Sequence, residues 1–229
     1  MTMAIKNFFN KWNTYELCWL GIFSLVSIAI TVITRDSFFG FTVFFAGILC
    51  VVLVAKGSIW TYPFGVYNTA AYAWMAYNNN LFGEMGLNLF FFMPMNVIGF
   101  FMWRRRMANG TVIMKALDNR KRVLIAFAVL TGIAALGYGL SRIDGQATPY
   151  IDASTNVLSV AATILMVMRF KEQWLLYIVL NVLTITMWSF RLAAGSPDAP
   201  VMIVMWSAYL INAFYGWYNW SKHAQVRKI

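Results

Sequence analysis

The stretch FFGFTVFFAGILCVVLVA, residues 38–55, contains eighteen consecutive residues without a charged side chain. A helix that crosses about 30 Å of hydrocarbon needs about 20 mostly apolar residues, because its backbone polar groups must be satisfied within the helix. Seven further stretches of similar length and character follow the same pattern. The eight predicted spans cover residues 17–34, 38–55, 59–77, 81–103, 123–141, 150–168, 174–194 and 201–219. The sequence therefore predicts an all-α polytopic membrane protein with eight transmembrane helices.

The composition excludes an ordinary soluble protein. Of the 229 residues, 61% are hydrophobic and 11% are charged, and the mean hydropathy is +0.64, whereas soluble domains carry about 25% charged residues. The longest connection, residues 104–122, leaves no room for a soluble catalytic or nucleotide-binding domain. Cys18 and Cys50 lie inside apolar stretches and predict neither a disulfide framework nor a metal site.

The basic residues predict the orientation in the membrane. With eight spans, Arg35, Arg142 and Arg191 fall on one side, and the other fifteen of the 18 basic residues fall on the opposite side. Because Lys and Arg near span ends resist translocation, we expect both termini to be cytoplasmic. We also expect the first span to be retained, because its apolar stretch is longer than a signal-peptide core and is followed by Arg35, Asp36 and Ser37 rather than by an A-x-A cleavage site. The net charge of +10 is better explained by contacts with anionic membrane lipid than by nucleic acid, which we do not expect as a partner.

A weak internal repeat relates spans two to four to spans six to eight. It matches Trp60 with Trp174 and Trp74 with Trp188 at an offset of 114 residues, and Gly99 with Gly216 and Trp103 with Trp220 at an offset of 117. Tryptophan also marks the membrane interfaces, so this explanation stays open for the residues near span ends. Because one helix separates two odd-numbered units, the units are expected to be parallel, in a 3+1+3 arrangement with an extra N-terminal helix.

This repeat divides the chain into five predicted segments. They are residues 1–37 with the extra helix, 38–103 with the first three-helix unit, 104–149 with a basic cytoplasmic loop and the linker helix, 150–220 with the second unit, and 221–229 with a cytoplasmic tail. Pro63 and Pro94 fall inside predicted spans, where each is expected to kink its helix.

Polar and aromatic side chains share helix faces within the spans, most clearly in the seventh, where they recur at helical spacing after Trp174. An Asn side chain in hydrocarbon is costly unless it finds a partner, so these faces should point inward, toward one another or a ligand. The predicted substrate-binding residues are Tyr177, Asn181, Thr184, Trp188, Tyr209, Asn212, Tyr67, Asn68, Trp74, Asn88 and Asn96. The alternative for each Asn is a hydrogen bond that joins two helices.

Several motifs are absent from the sequence. It contains no G-x-x-x-x-G-K-[ST] stretch for nucleotide hydrolysis, and its one histidine, His223, lies in the basic tail. No lysine falls near the middle of a predicted span, where a Schiff-base pigment needs one. No carboxylate lies there either, although an ion-coupled carrier commonly has one. We therefore expect no enzyme, no cofactor and no metal, and facilitated diffusion rather than pumping. An aromatic site with Asn amides suits a flat heteroaromatic ligand with hydroxyls and an amide, and also a delocalised cation.

Four stretches resemble the PnuC-type nicotinamide riboside (vitamin B3) transporters. Residues 62–68 (YPFGVYN) and 81–85 (LFGEM) are similar to the family's Y-P-F-G…N and L-(F/Y)-G-(D/E)-M motifs, and residues 172–177 (EQWLLY) to its E-x-W-x-x-(W/Y) motif. Residues 216–220 (GWYNW) are similar to its terminal G-(W/Y)-x-x-W. The resemblance extends from about residue 38 onward.

The resemblance implies a SWEET-like fold and uptake of nicotinamide riboside across the bacterial inner membrane, with trapping by a cytosolic riboside kinase that feeds NAD biosynthesis. Three alternatives stay open: a carrier of a related vitamin or nucleoside such as thiamine or a deoxynucleoside, a substrate-capture subunit that needs an energising partner, and, least favoured, an intramembrane enzyme. Whether the chain forms a homo-oligomer is also open.

Overall fold

Eight helices make up almost all of the computed structural model, which describes residues 12, 14–34, 37–78, 82–143, 148–196 and 199–226. They are α1 (Thr14–Thr34), α2 (Phe38–Lys56), α3 (Thr61–Asn78), α4 (Phe82–Arg104), α5 (Asn119–Leu140), α6 (Pro149–Val167), α7 (Gln173–Ala193) and α8 (Ala199–His223). Each matches one predicted span to within a few residues. In this described part, seven are long and apolar enough to cross a bilayer, and α3 falls short because of its tyrosines and asparagines.

Local capping explains where several helices begin and end. The Ser37 hydroxyl accepts a hydrogen bond from the Gly40 amide at 3.0 Å at the start of α2, and the Asp118 carboxylate accepts one from the Lys121 amide at 2.8 Å at the start of α5. Gly57, with φ of 76°, ends α2 in the left-handed conformation that glycine tolerates.

The two prolines behave differently from each other. Pro63 lies in the first turn of α3, where the missing N–H removes no helical hydrogen bond, so the predicted kink is wrong there. Pro94 lies two residues after a widened π-helical turn at Asn88–Phe92 inside α4. Such single-turn insertions are a recognised cause of helix bending.

Six helices form a closed ring. Going around it, α2 contacts α3, α3 contacts α4, α4 contacts α6, α6 contacts α7, α7 contacts α8, and α8 returns to α2. Helix α1 packs outside the ring against α2 and touches α8, while α5 packs outside it, mainly on α6. Both outer helices keep much of their surface exposed to the surroundings.

One end of the bundle carries the turns 57–60, 105–118 and 168–172 and the C-terminal segment, and we call it the basic end. A hairpin pairs β1 (Met107–Ala108) with β2 (Thr111–Val112). Asn109 and Gly110 form its turn with positive φ values, as an Asn-Gly turn requires. The β3 strand (Lys115–Ala116) pairs in parallel with β4 (Gln225–Val226).

The turns after α2 and α6 have the same hydrogen-bond pattern. In the first, Gly57 and Ser58 amides donate to the Val54 and Leu53 carbonyls, with Gly57 in the left-handed conformation. In the second, the Arg169 and Phe170 amides donate to Met166 and Leu165, and Arg169 has φ of 68°. Equivalent atoms are thus 112 residues apart, so the offset of 114 predicted from the tryptophans is wrong by two at this turn.

As a consequence, Trp174 occupies the position of Tyr62 rather than that of Trp60. Tyr62 and Trp174 are both buried, whereas more than half of the Trp60 surface is exposed.

Candidate functional site

The inner face of α7 carries the most compact group of predicted site residues. Asn181 and Thr184 are buried, and the Thr184 hydroxyl donates to the Leu180 carbonyl of the same helix at 2.9 Å. One turn and two turns earlier, Tyr177 and Trp174 pack with ring centres 6.0 Å apart. The Tyr177 hydroxyl lies 3.5 Å from the Thr163 hydroxyl of α6.

A second group lies where α2, α3 and α8 meet. The Asn212 amide of α8 donates to the Val51 carbonyl of α2 at 3.0 Å, and the Asn68 amide of α3 donates to the Val43 carbonyl at 2.8 Å. A methyl group built on Gly47 would lie 3.2 Å from Asn68 Nδ2 and 3.8 Å from the Tyr209 hydroxyl. Gly47 therefore lets these two side chains approach α2 closely.

The Asn212 side chain is only partly satisfied. Its carbonyl oxygen Oδ1 is buried and has no hydrogen-bond partner among the described residues. A buried acceptor without a partner costs about 1–3 kcal/mol. Asn212 Oδ1 is thus an unused acceptor buried at the contact of α8 with α2.

The two Asn residues of α4 bond within their own helix. Asn88 donates to the Glu84 carbonyl and Asn96 to the Phe92 carbonyl, each at 2.9 Å. The Asn96 carbonyl oxygen also packs directly on Gly65 of α3. Asn96 thus lies at the contact between α3 and α4.

Three predicted site residues lie apart from these groups. Tyr67 is 43% exposed and shares a 2.6 Å hydrogen bond with the Thr42 hydroxyl. Trp74 is 58% exposed and stacks on Tyr77. The Trp188 ring lies 4.6 Å from the Arg191 guanidinium, near the end of α7.

Next to these groups, the basic end is closed by an aromatic cluster of Tyr62, Trp103, Trp174 and Trp220, which we call the aromatic seal. All four side chains are buried. Trp103 donates through Nε1 to the Met166 carbonyl at 3.2 Å, and Trp220 does the same to the Val54 carbonyl at 3.0 Å. The acceptors are equivalent atoms of the two turns described above, so the seal joins α4 to α6 and α8 to α2 in the same way.

Glycine makes room for two of these rings. Gly99 of α4 lies directly under Tyr62, and Gly216 of α8 lies directly under Trp174, so that an added methyl group at either position would overlap the ring. The predicted offset of 117 residues between α4 and α8 agrees with these paired contacts.

Buried polar atoms collect around the aromatic seal. The Tyr62 hydroxyl, Trp174 Nε1, both amide atoms of Gln173 and Arg169 Nε have no hydrogen-bond partner in the described ranges. Burial and the nearby Arg106 charge lower the pKa of Arg169. Sequence reasoning placed Trp174 on the polar face of the seventh span but missed Tyr62, Gln173 and Arg169 as site candidates, although Tyr62 and Gln173 fall inside the motifs quoted above.

Glu172 anchors the basic loop to the bundle and was also missed. Its buried carboxylate accepts hydrogen bonds from the Arg122 guanidinium at 2.9 and 3.1 Å and from the Leu117 amide at 3.1 Å. The sequence signal that could have identified Glu172 was a carboxylate at the start of the aromatic motif at residues 172–177.

Taken together, the helices of the ring bury amide and aromatic side chains where they contact one another. Within the described part of the chain, no three His, Cys, Asp or Glu side chains are grouped as metal ligands. Amides and ring faces bind an aromatic ligand through hydrogen bonds and stacking.

Comparison with known proteins identifies the family. The family model described as "Nicotinamide mononucleotide transporter" matches residues 37–222. The nicotinamide riboside transporter PnuC of Haemophilus influenzae is 37% identical, covering 97% of each chain, and that of Neisseria mucosa is 36% identical, covering 95% of this chain and 84% of the relative. The Escherichia coli PnuC is 27% identical over 64% of this chain.

The fold comparison gives the same result. A solved structure described as "Crystal structure of the Vitamin B3 transporter PnuC" superposes with a TM-score of 0.81 at 36% identity and covers 97% of both chains. Each of these matches is named a transporter rather than an enzyme. The resemblance seen in the motifs is thereby confirmed, and the chain, a multi-pass membrane protein, belongs to the PnuC transporter family.

Proposed function

We propose that this protein takes up nicotinamide riboside by facilitated diffusion through a site inside the helix ring. The observation that carries the proposal is the buried amide and aromatic lining of α7 and α8, with the unpartnered Asn212 Oδ1 within it. Nicotinamide riboside has ribose hydroxyls and a carboxamide that donate hydrogen bonds, and a pyridinium ring that aromatic faces attract. The relatives named above as riboside transporters support the same substrate.

Nicotinamide mononucleotide, the substrate in the family model's description, differs by a phosphate. A phosphate dianion prefers Arg or Lys partners. The amide groups of Asn68, Asn181 and Asn212 offer no positive charge, and Arg169 lies beyond them at the basic end. The uncharged lining therefore favours the riboside over the mononucleotide.

We propose further that the ring consists of two three-helix units, α2–α4 and α6–α8, with α5 as the linker. Three features recur in both: the left-handed turn at Gly57 and Arg169, the ring-over-glycine contact, and the indole-to-carbonyl hydrogen bond of Trp103 and Trp220. If every helix crosses the membrane, the chain crosses it four times, through α2, α3, α4 and α5, before α6 begins. Because this number is even, α6 starts on the same side as α2 and the two units are parallel.

Transport would then follow from rocking of one unit against the other. In the present conformation the aromatic seal closes the basic end, and both of its indole hydrogen bonds cross between the units. To open this end, both indole hydrogen bonds and the contacts among the aromatic side chains of the seal must break. The unpartnered atoms of Gln173 and Tyr62 would then gain water as a partner.

We assign the basic end to the cytoplasm of a bacterial inner membrane, since positive residues are retained there. A cytosolic kinase that phosphorylates the riboside would trap it, because the site lacks a cation for the product's phosphate. The substrate gradient then drives uptake without a coupled ion.

The test compares Asn212→Leu with Asn219→Leu. Asn219 is also on α8 and donates to an α2 carbonyl, that of Ala55, at 2.9 Å, but it lies at the basic end. Both variants lose one interhelical hydrogen bond. Calorimetric titration with nicotinamide riboside should show a loss of affinity of about 5- to 150-fold for Asn212→Leu only, from a lost hydrogen bond of about 1–3 kcal/mol.

Equal affinities in both variants would place the ligand elsewhere. Uptake by the purified protein alone in vesicles would exclude a capture subunit that needs an energising partner. A titration with thiamine and deoxynucleosides separates the related substrates.

A further inference from the structure

A cavity of about 1240 Å³ lies on the side of the bundle between α4, α5 and α6. We call it the lateral groove. Its wall along α5 runs from Lys121 to Leu140, and most of the remaining wall is formed by apolar side chains of α6. No residue predicted for substrate binding lines it, so the lateral groove is separate from the site inside the ring.

The lateral groove forms because α5 packs mainly on one neighbouring helix, α6. Helix α5 packs mainly on α6, and α6 in turn contacts α4, which leaves a gap between α4 and α5. Leu124 lines this gap and remains 64% exposed. An empty apolar gap is unfavourable because the side chains along its walls lose van der Waals contacts. In a bilayer, lipid acyl chains are available to fill such a gap.

The groove ends in positive charge at the basic end. Lys121 lines it there together with Leu117 and Phe170. The Lys115 ammonium lies 4.3 Å from the centre of the Phe170 ring. Lys121 forms a 2.9 Å ion pair with Asp118, but both side chains are about half exposed, so the pair is weak and leaves the ammonium accessible to a second anion.

These features together define the occupant. A phospholipid places its acyl chains beside apolar helices and its phosphate at the level where lysine side chains emerge from hydrocarbon. Basic pockets between transmembrane helices on the cytoplasmic side are typical sites for anionic head groups. The nine residues from Lys121 to Val129 rise about 12 Å, which is close to the depth of one leaflet.

We propose that the basic half of the lateral groove binds one anionic phospholipid, with its acyl chains against α5 and α6 and its phosphate at Lys121. The lipid fills the gap that α5 leaves and holds α5 against the ring. This inference does not depend on the identity of the transported substrate.

The test is native mass spectrometry of detergent-purified protein with phosphatidylglycerol and, separately, phosphatidylcholine of identical chains. The wild type should retain one phosphatidylglycerol, and Lys121→Gln should weaken its retention about fivefold, the factor for one lysine near a lipid phosphate. Lys222→Gln, which removes an exposed charge from the same end, is the matched control and should retain the lipid as the wild type does. Ala128→Phe, which fills the groove wall, should reduce retention of both lipids.

Three results would overturn the proposal. One is equal retention of the two lipids by the wild type, and another is equal behaviour of Lys121→Gln and Lys222→Gln. The third is an oligomer that Ala128→Phe dissociates, because a second copy of the chain would then occupy the groove.

Discussion

A buried ion pair attaches the outer helix α1 to the ring and leads to a sharp stability prediction. The Lys56 ammonium at the end of α2 lies 2.6 Å from the Glu16 carboxylate in the first turn of α1, and these side chains are only 10% and 6% exposed. The Tyr215 hydroxyl of α8 donates to the same carboxylate at 3.2 Å, and the Trp12 ring lies 4.7 Å from the ammonium. Each charge also lies at the helix end that its sign favours.

Removing one partner takes a counter-charge at 2.6 Å away from a buried charge. Such single changes cost about 3–5 kcal/mol, whereas replacing both charges by apolar or neutral groups costs far less. We therefore expect Glu16→Gln and Lys56→Met each to lower the free energy of unfolding by about 3–5 kcal/mol. The double variant should lose no more than either single variant.

The measurement is unfolding in mixed detergent micelles, followed by far-ultraviolet circular dichroism. Asp118→Asn is the control, because it breaks an exposed ion pair and keeps a good helix cap, and it should leave the unfolding midpoint unchanged. The reasoning is refuted if the single variants shift the free energy by under about 1 kcal/mol, or if the double variant costs the sum of the two.

Two further predictions concern contacts within the ring. Trp103→Phe and Trp220→Phe should each lower the free energy of unfolding by about 1–3 kcal/mol, and by similar amounts, because each loses an equivalent hydrogen bond and part of a ring; a large difference on chemical unfolding would argue against equivalent roles. Gly99→Ala should lower the melting temperature, because its methyl group collides with the buried Tyr62 ring. Gly86→Ala, which meets nothing within 4 Å, should leave it unchanged or raise it, and equal effects of the two would contradict this packing.

The helices could be predicted from sequence because length and hydrophobicity are local properties that the bilayer imposes on each segment. The predicted offset of 114 residues does not fit the turns at Gly57 and Arg169, because matching Trp60 to Trp174 assumed that the same residue type keeps the same role. At that position the first unit has Tyr62, which fills the same space over a glycine. Tyr62 and Trp174 thus make similar contacts although they are different residue types.

The candidate site was predictable only to the level of helix faces. Periodicity placed Asn181 and Thr184 together on a buried face, but it could not tell which Asn bonds a neighbouring helix. Asn68 and Asn212 both donate to α2 carbonyls, and this depends on helix packing that no local pattern encodes. The pair of Glu16 and Lys56 was missed for the same reason, because two charges at span ends look solvated until tertiary contacts bury them.

The most direct measurement is calorimetric titration of the purified protein with nicotinamide riboside, with nicotinamide mononucleotide as the comparison. The account predicts that the riboside binds and that the mononucleotide binds at least about tenfold more weakly, since the lining offers its phosphate no cation. Equal or tighter binding of the mononucleotide would contradict the assignment of the site to the uncharged groups inside the ring.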